Sequence, residues 1–254
     1  MIEQSTPRQK QFKILLIGDT CEDIYTYGNV NRISPEAPVP IFEPRYTTYH
    51  DGMAGNVRKN LEALGCSVHF IRGKTSKKKR LIDERTKQQL LRLDEDVISE
   101  PVTFETAIPP IYDAIVISDY NKGTVSYELI EELAKEVDVP IFVDTKKTDL
   151  ARLAGCYVKI NALEKSRATS LPKIDHLIVT QGYHGATWNG WGFPAEIVGE
   201  VTDVCGAGDT FLAALAFKFL ETKDMREAVS FAIKASAVTV QHVGVYAPRL
   251  EEIK

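Results

Sequence analysis

The order of apolar segments predicts an α/β fold with a mostly parallel central sheet. Six short apolar runs recur along the 254 residues, and several stop at a polar residue: Gly18-Asp19, Ser118-Asp119, Asp144, Asn161 and Thr180. Segments of helical period lie between many of them. Parallel neighbours need a crossover, usually a helix, and those helices then cover both faces of the sheet. With no internal repeat and no low-complexity linker, one domain over residues 12–254 is expected.

Each element has its own signal. Met1–Gln11 is polar and is read as a flexible N-terminus. Phe12-Lys-Ile-Leu-Leu-Ile-Gly18 is a buried strand. Val57–Leu64 has helical spacing, and Gly65 supplies a stop. Further strands are expected at Ser67–Ile71, Ala114–Ser118, Val139–Asp144, Tyr157–Ile160 and His176–Thr180. Ser126–Val137 reads as a helix, and Asp209–Leu220 and Met225–Gln241 are the longest helical patterns. Asn31–Tyr49 and Lys74–Asp94 break the alternation. They are expected to pair into a small β-lid inserted at about residues 29–50 and 74–96. Trp188 and Trp191, in a Gly- and Asn-rich stretch, fit hairpin packing.

Composition excludes several classes. The net charge is −4 and the pI about 5.8, which gives no general attraction to nucleic acid or an anionic membrane. Lys74–Arg80 is basic but reads as a solvated loop. No apolar stretch approaches the roughly 20 residues of a membrane span, and the polar N-terminus lacks a signal-peptide pattern. The four cysteines have no C-x-x-C spacing, and the five histidines form no ligand-like motif. A cytoplasmic, reduced protein without structural zinc is expected.

In open parallel sheets, ligands sit beyond the carboxyl ends of the strands. Asp19, Asp119, Asp144 and Asn161 are therefore site candidates, with capping of the following helix as the alternative. The most informative segment is Asp203-Val-Cys-Gly-Ala-Gly-Asp-Thr-Phe211. Gly206, Ala207 and Gly208 precede a strong helical run, and a helix N-terminus with free N–H groups suits an anion. Asp209 would repel a phosphate there unless its task is to take a proton from a hydroxyl beside it. The plain alternative is an Asp N-cap at a loop–helix junction.

With its flanks, this segment resembles the second signature of the ribokinase-like (PfkB) carbohydrate kinases. Gly52-Met-Ala-Gly-Asn56, Asn161-Ala-Leu-Glu164 and Thr180-Gln-Gly-Tyr-His-Gly185 resemble further family motifs, in the family's order. Asn31-Arg-Ile-Ser-Pro-Glu-Ala-Pro-Val-Pro40, Gln88-Gln-Leu-Leu-Arg-Leu-Asp94 and Ser118-Asp-Tyr-Asn-Lys-Gly123 are similar to the D-glycero-D-manno-heptose 7-phosphate kinase branch. That branch is the kinase half of the bifunctional heptose kinase/adenylyltransferase of lipopolysaccharide biosynthesis. The resemblance runs from about Lys13 to Gly244.

The resemblance implies a ribokinase-like three-layer sandwich with a β-lid. It implies ATP as co-substrate, Mg²⁺ as cofactor and a homodimer formed through the lid. It implies Asp209 as base and Gly206–Gly208 as anion hole. Asp23, Gly52 and Asn56 would meet the sugar, with Asp119 beside them, and Arg80, Arg92 and Lys122 would hold its far phosphate. Asn161 and Glu164 would hold the metal through waters, while Asn161, Thr180, Gly182, Gly185, Val243 and Gly244 would line the nucleotide. The implied reaction phosphorylates the anomeric hydroxyl of heptose 7-phosphate to a 1,7-bisphosphate. The other readings are a kinase of another sugar or sugar phosphate, or a non-catalytic sugar- or nucleotide-binding relative.

The chain departs from the family pattern in four ways. It is shortened after Gly73 and after Glu164, so an edge strand is expected to be lost and one crossover shortened. Met53 stands at a signature glycine. Ile233 and Lys234 replace residues usual near the adenine. No His-x-Gly-His adenylyltransferase motif is present.

Overall fold

The computed structural model describes residues 11–107, 112–197 and 199–253. The expected flexible N-terminus lies outside them, Gln11 apart. The elements are β1 (Lys13–Ile33), β2 (Pro40–Met53), α1 (Ala54–Ala63), β3 (Ser67–Asp83), β4 (Gln89–Glu95) and α2 (Phe104–Ala107). Then follow β5 (Ala114–Asp119), α3 (Tyr127–Glu136), β6 (Ile141–Thr145), β7 (Tyr157–Asn161), α4 (Ala162–Arg167) and β8 (Leu177–Thr180). A hairpin of β9 (Ala186–Trp188) and β10 (Trp191–Phe193) precedes the long helices α5 (Ala207–Thr222) and α6 (Met225–Thr239).

The strands form one sheet in the order β10-β9-β8-β7-β6-β5-β1-β3-β4, with β2 on β1. Pairing is parallel from β8 through β3, and antiparallel at β8–β9, β9–β10, β3–β4 and β1–β2. Side chains alternate across the sheet, as the two-residue period requires. Ile14, Leu16, Val116 and Phe142 meet α1, α5 and α6 on one face, and Leu15, Ile17, Ile117 and Val143 meet α3 on the other. These are three layers, α/β/α.

Element by element, the sequence explains the build. Ser126 caps α3 by accepting from Leu129 N at 3.0 Å, and Asp224 caps α6 through Arg226 N at 2.7 Å. Phe211–Leu220 is apolar nearly all round because α5 is covered on several sides, by the sheet, α1 and α6. Asn189 and Gly190 take φ 49° and 77°, as a two-residue hairpin turn demands. Trp188 seals that hairpin by donating to Asp175 O at 2.7 Å.

Two expectations are corrected. Lys74–Arg80 lies inside β3, paired with β1 and in part with β4, and is not a solvated loop. The run Phe12–Gly18 is only the opening of a 21-residue strand. Pairing of β1 with β2 begins at Thr20↔Met53, well before residue 29. From Glu22 to Tyr27 the strand continues with half-buried residues around a buried Asp23, without the apolar run that marks its start. β3 likewise runs unbroken from the buried sheet into the lid. The lid is therefore a four-stranded outgrowth of the central sheet, made from the far halves of β1 and β3 with β2 and β4.

Candidate active site

The site is built where α5 starts. Gly206 lies in the left-handed region at φ 78°, and a Cβ there would stand 2.6 Å from Asn56 Nδ2. Both facts demand glycine. The turn delivers Asp209, buried in the first turn of α5. Asn56 Nδ2 donates to its Oδ2 at 2.9 Å, and the Tyr120 hydroxyl donates to its Oδ1 at 3.1 Å. Burial raises the Asp209 pKa to about 6, and nearby Asp144 adds to the rise. The donors Asn56 and Tyr120 and the Lys159 ammonium oppose it.

Lys159 is buried and pairs with Asp144 at 2.7 Å. A Cβ on Gly208 would come within 3.0 Å of Lys159 Nζ, so this cation stands against the expected anion hole. The sequence reading missed it. Its signal is a lysine interrupting the apolar strand Tyr157-Val-Lys-Ile-Asn161. Tyr120 was missed too, although it lies inside the Ser118–Gly123 segment.

On the lid side, Asp23 Oδ1 accepts from Arg80 Nη1 at 2.5 Å, and both side chains are largely buried. The Arg80 guanidinium lies over the Tyr25 ring at 4.8 Å. Any side chain on Gly52 would collide with the Asp23 carboxylate and Cys21. Met53 adopts φ 54°, ψ −132°, a backbone that favours glycine, so the substitution leaves the fold intact at the expense of strain.

The other expected phosphate cations carry carboxylate partners. Arg92 makes a two-pronged pair with Asp94 at 2.7 and 2.6 Å, exposed on β4. Lys122 Nζ reaches Asp96 at 2.5 Å. Arg92 faces Arg80 across the β3–β4 pair. Asp119 is placed differently from the expectation. Its carboxylate is buried and accepts from Thr145 Oγ1 at 2.6 Å and Asn121 N at 2.9 Å, with Lys147 at 3.2 Å. It holds strand ends together and has no free face toward a sugar.

A cavity of about 690 Å³ opens beyond β8. Thr180, Gly182 and Gly185 line it opposite Ala207, Gly208 and Phe211 of α5 and Ile233, Ser236, Ala237 and Val240 of α6. Val243 and Gly244 are not part of its lining. Val243 is 82% exposed, and Gly244 N donates to Asp203 at 3.0 Å. Of the two departures noted near the adenine, Ile233 lines the cavity and Lys234 does not.

Asn161 and Glu164 form a capping box for α4. Asn161 Oδ1 accepts from Glu164 N and Glu164 Oε2 accepts from Asn161 N, both at 2.8 Å. Glu164 Oε1 pairs with Lys146. Among the described residues no group of three or more His, Cys, Asp or Glu could hold a metal. A magnesium ion keeps several waters and leans on one or two carboxylates plus phosphates. Asn161 pairs with cavity-lining Thr180 across β7–β8, and the single carboxylate of Glu164 that it caps fits that hydrated mode and not a protein-only cage.

Solved structures share this architecture. A ribokinase from Thermotoga maritima superposes with a TM-score of 0.69 over 95% of this chain and 98% of its own, at 18% identity. Arabidopsis thaliana ribokinase, solved with ribose and ATP, gives 0.68 over 96% and 98%, at 16% identity. The fold is ribokinase-like. A model of the pfkB family carbohydrate kinases matches residues 123–253, and the chain belongs to that family. It is 31% identical to the bifunctional protein HldE of Nitratiruptor sp. and 32% to that of Helicobacter pylori, over 95% of this chain in both cases. It spans only 64% and 65% of those relatives. No helix among the described residues is long and apolar enough to cross a membrane.

Proposed function

We propose that the chain is an ATP-dependent kinase that phosphorylates the anomeric hydroxyl of D-glycero-D-manno-heptose 7-phosphate. The observation that carries this is the buried Asp209, gripped by Asn56 and Tyr120 beside Gly206–Gly208. The HldE likeness over 95% of the chain supports the choice of sugar. With a pKa of about 6, Asp209 is mostly ionised at neutral pH yet close enough to accept a proton usefully. It takes the hydroxyl proton as the sugar oxygen bonds to the γ-phosphorus. The bond from that phosphorus to the β–γ bridging oxygen breaks, and ADP leaves. The N–H groups of α5 and the Lys159 ammonium face the charge that develops on the phosphoryl oxygens.

Asp23 and Asn56 orient the sugar, and Arg80, Arg92 and Lys122 are the cations for its far phosphate. Thr180, Gly182 and Gly185 hold the nucleotide phosphates. Mg²⁺, held through waters at Glu164 and Asn161, would supply charge neutralisation on the phosphates. The protein works in the cytoplasm as a homodimer joined through the lid.

ADP release with Mg·ATP and the heptose phosphate tests the reading, wild type beside Asp209→Asn. Turnover is expected in the wild type, with a loss of about a hundredfold or more in the variant and ATP binding retained. Turnover only with another phosphorylated sugar would correct the substrate. ATP binding with no turnover of any sugar would make the chain a binding protein.

A further inference from the structure

One buried carboxylate shapes the turn that follows β5. Asp19 Oδ2 accepts from Tyr120 N at 2.8 Å and Lys122 N at 3.0 Å, and its Oδ1 accepts from Thr124 N at 3.2 Å. Asp19 is 1% exposed and sits at the register shift between Gly18 and Thr20. That irregularity re-aims the side chain toward the turn. The turn needs holding, because Asn121 and Gly123 take φ 57° and 97°. It carries two site residues. The Tyr120 hydroxyl donates to Asp209 Oδ1, and Lys122 reaches Asp96 at the lid.

We propose that Asp19 and Tyr120 are positioning residues of the phosphoryl-transfer site: Asp19 fixes the turn, and Tyr120 fixes the orientation of the Asp209 carboxylate. The proposal rests on the reading of Asp209 as the base. Two donors from two separate elements, Asn56 of α1 and Tyr120 of the turn, stop the carboxylate from rotating. Each oxygen still has a lone pair for the substrate proton. Burial keeps the Tyr120 phenol protonated, since its pKa stands well above the usual range. Its ring also lies 5.2 Å from the Lys146 ammonium. Misplacing a reacting group by about 1 Å is enough to cost on the order of a hundredfold in rate, so a one-point hold is a poor substitute.

The test reads Asp209 directly, by ¹³C NMR of the full chain carrying carboxyl-labelled aspartate. Its resonance is assigned by its loss in Asp209→Asn. The other groups facing Asp209 are Asp144, Lys159, Lys146 and Cys21, and none of them is altered. In Tyr120→Phe the ionised carboxylate loses a donor, so Asp209 is expected to titrate at higher pH than in the wild type. Asp19→Asn leaves the phenol in place, yet the same upward movement is expected because the turn relaxes. In the activity assay, Tyr120→Phe is expected to lower kcat about tenfold or more with KM for ATP unchanged. The acidic limb of its pH profile should move up in step. Asp19→Asn should in addition raise KM for the sugar phosphate.

An unchanged Asp209 titration in folded Tyr120→Phe overturns the proposal, whether or not any sugar is turned over. A wild type that phosphorylates no sugar overturns the base reading instead, and the titration still decides the positioning. If Asp19→Asn does not fold, amide exchange in the wild type decides its part. Protection of Tyr120, Lys122 and Thr124 is expected, and fast exchange at all three overturns it.

Discussion

Burying Asp209 has an energetic cost, one that the proposed role as base requires. Its pKa rises from an ordinary 3.8 to about 6, with burial as the main cause. Between those values the folded chain holds a proton that the unfolded chain has released, so stability falls as pH rises from about 4 to about 6. The penalty is fully present at pH 7. Asp209→Asn is therefore expected to be more stable than the wild type at pH 7, on the order of 1–3 kcal/mol, with the gap closing below pH 4. Urea unfolding at the two pH values measures this, and equal stability at pH 7 would contradict it. Met53 has a cost of another kind. At φ 54°, a non-glycine residue is strained by about 1–3 kcal/mol, while its side chain is buried. Met53→Ala loses about 2 kcal/mol or more of packing and keeps the strain, whereas Met53→Gly loses the packing and the strain together. The glycine variant is expected to melt above the alanine variant, the reverse of the usual order, and calorimetry of the pair checks it. At this scale the sequence was legible where chemistry and chain order coincide, as in Gly206 to Asp209. It was not legible where a side chain's direction decides. Asp119 ends β5 and Asp144 stands one residue before the end of β6, yet one is spent on Thr145, Asn121 and Lys147 and the other on Lys159. Only the register and pleat of the sheet fix that.

The elements show the same division. The buried strands and long helices announce themselves by apolar runs and helical period, and α5 and α6 lie within a few residues of the expected bounds. The long arms of β1 and β3 did not, because beyond Thr20 in β1 and Ile71 in β3 the residues are mostly half-buried, mix polar and charged side chains with apolar ones, and carry no apolar stripe. Short α4 is held chiefly by its cap, since none of its residues is buried. Asn161→Ala should therefore cost about 1 kcal/mol, and Asn161→Asp, which caps as well, almost nothing. Denaturant titration separates the two. If Asn161 mattered only to the metal, both variants would leave stability unchanged.

Over the region it shares with the HldE relatives, the chain is shorter than they are. Its alignments to the HldE relatives extend over 304 and 306 positions although it has only 254 residues. The deficit is expected after Gly73 and after Glu164; at the first of these β3 passes straight from sheet to lid. The lid exposes Ile33, Tyr46, Tyr49, Leu91 and Leu93, an apolar set that suits a second copy. Sedimentation is expected to show a dimer that Tyr49→Lys weakens, and a monomer across the micromolar range would remove that assignment. The unbroken strands have a mechanical consequence. A cover tied to its base by loops swings like a door, with the hinge taking the whole change in angle. Here the cover and the base share two β-strands, and closing it is more like flexing a leaf spring. The ladder is already irregular between Gly18 and Thr20, and bending of the shared strands would concentrate there. The carboxylate that holds the Tyr120–Thr124 turn sits at that point, so such bending would reach Asp19 first.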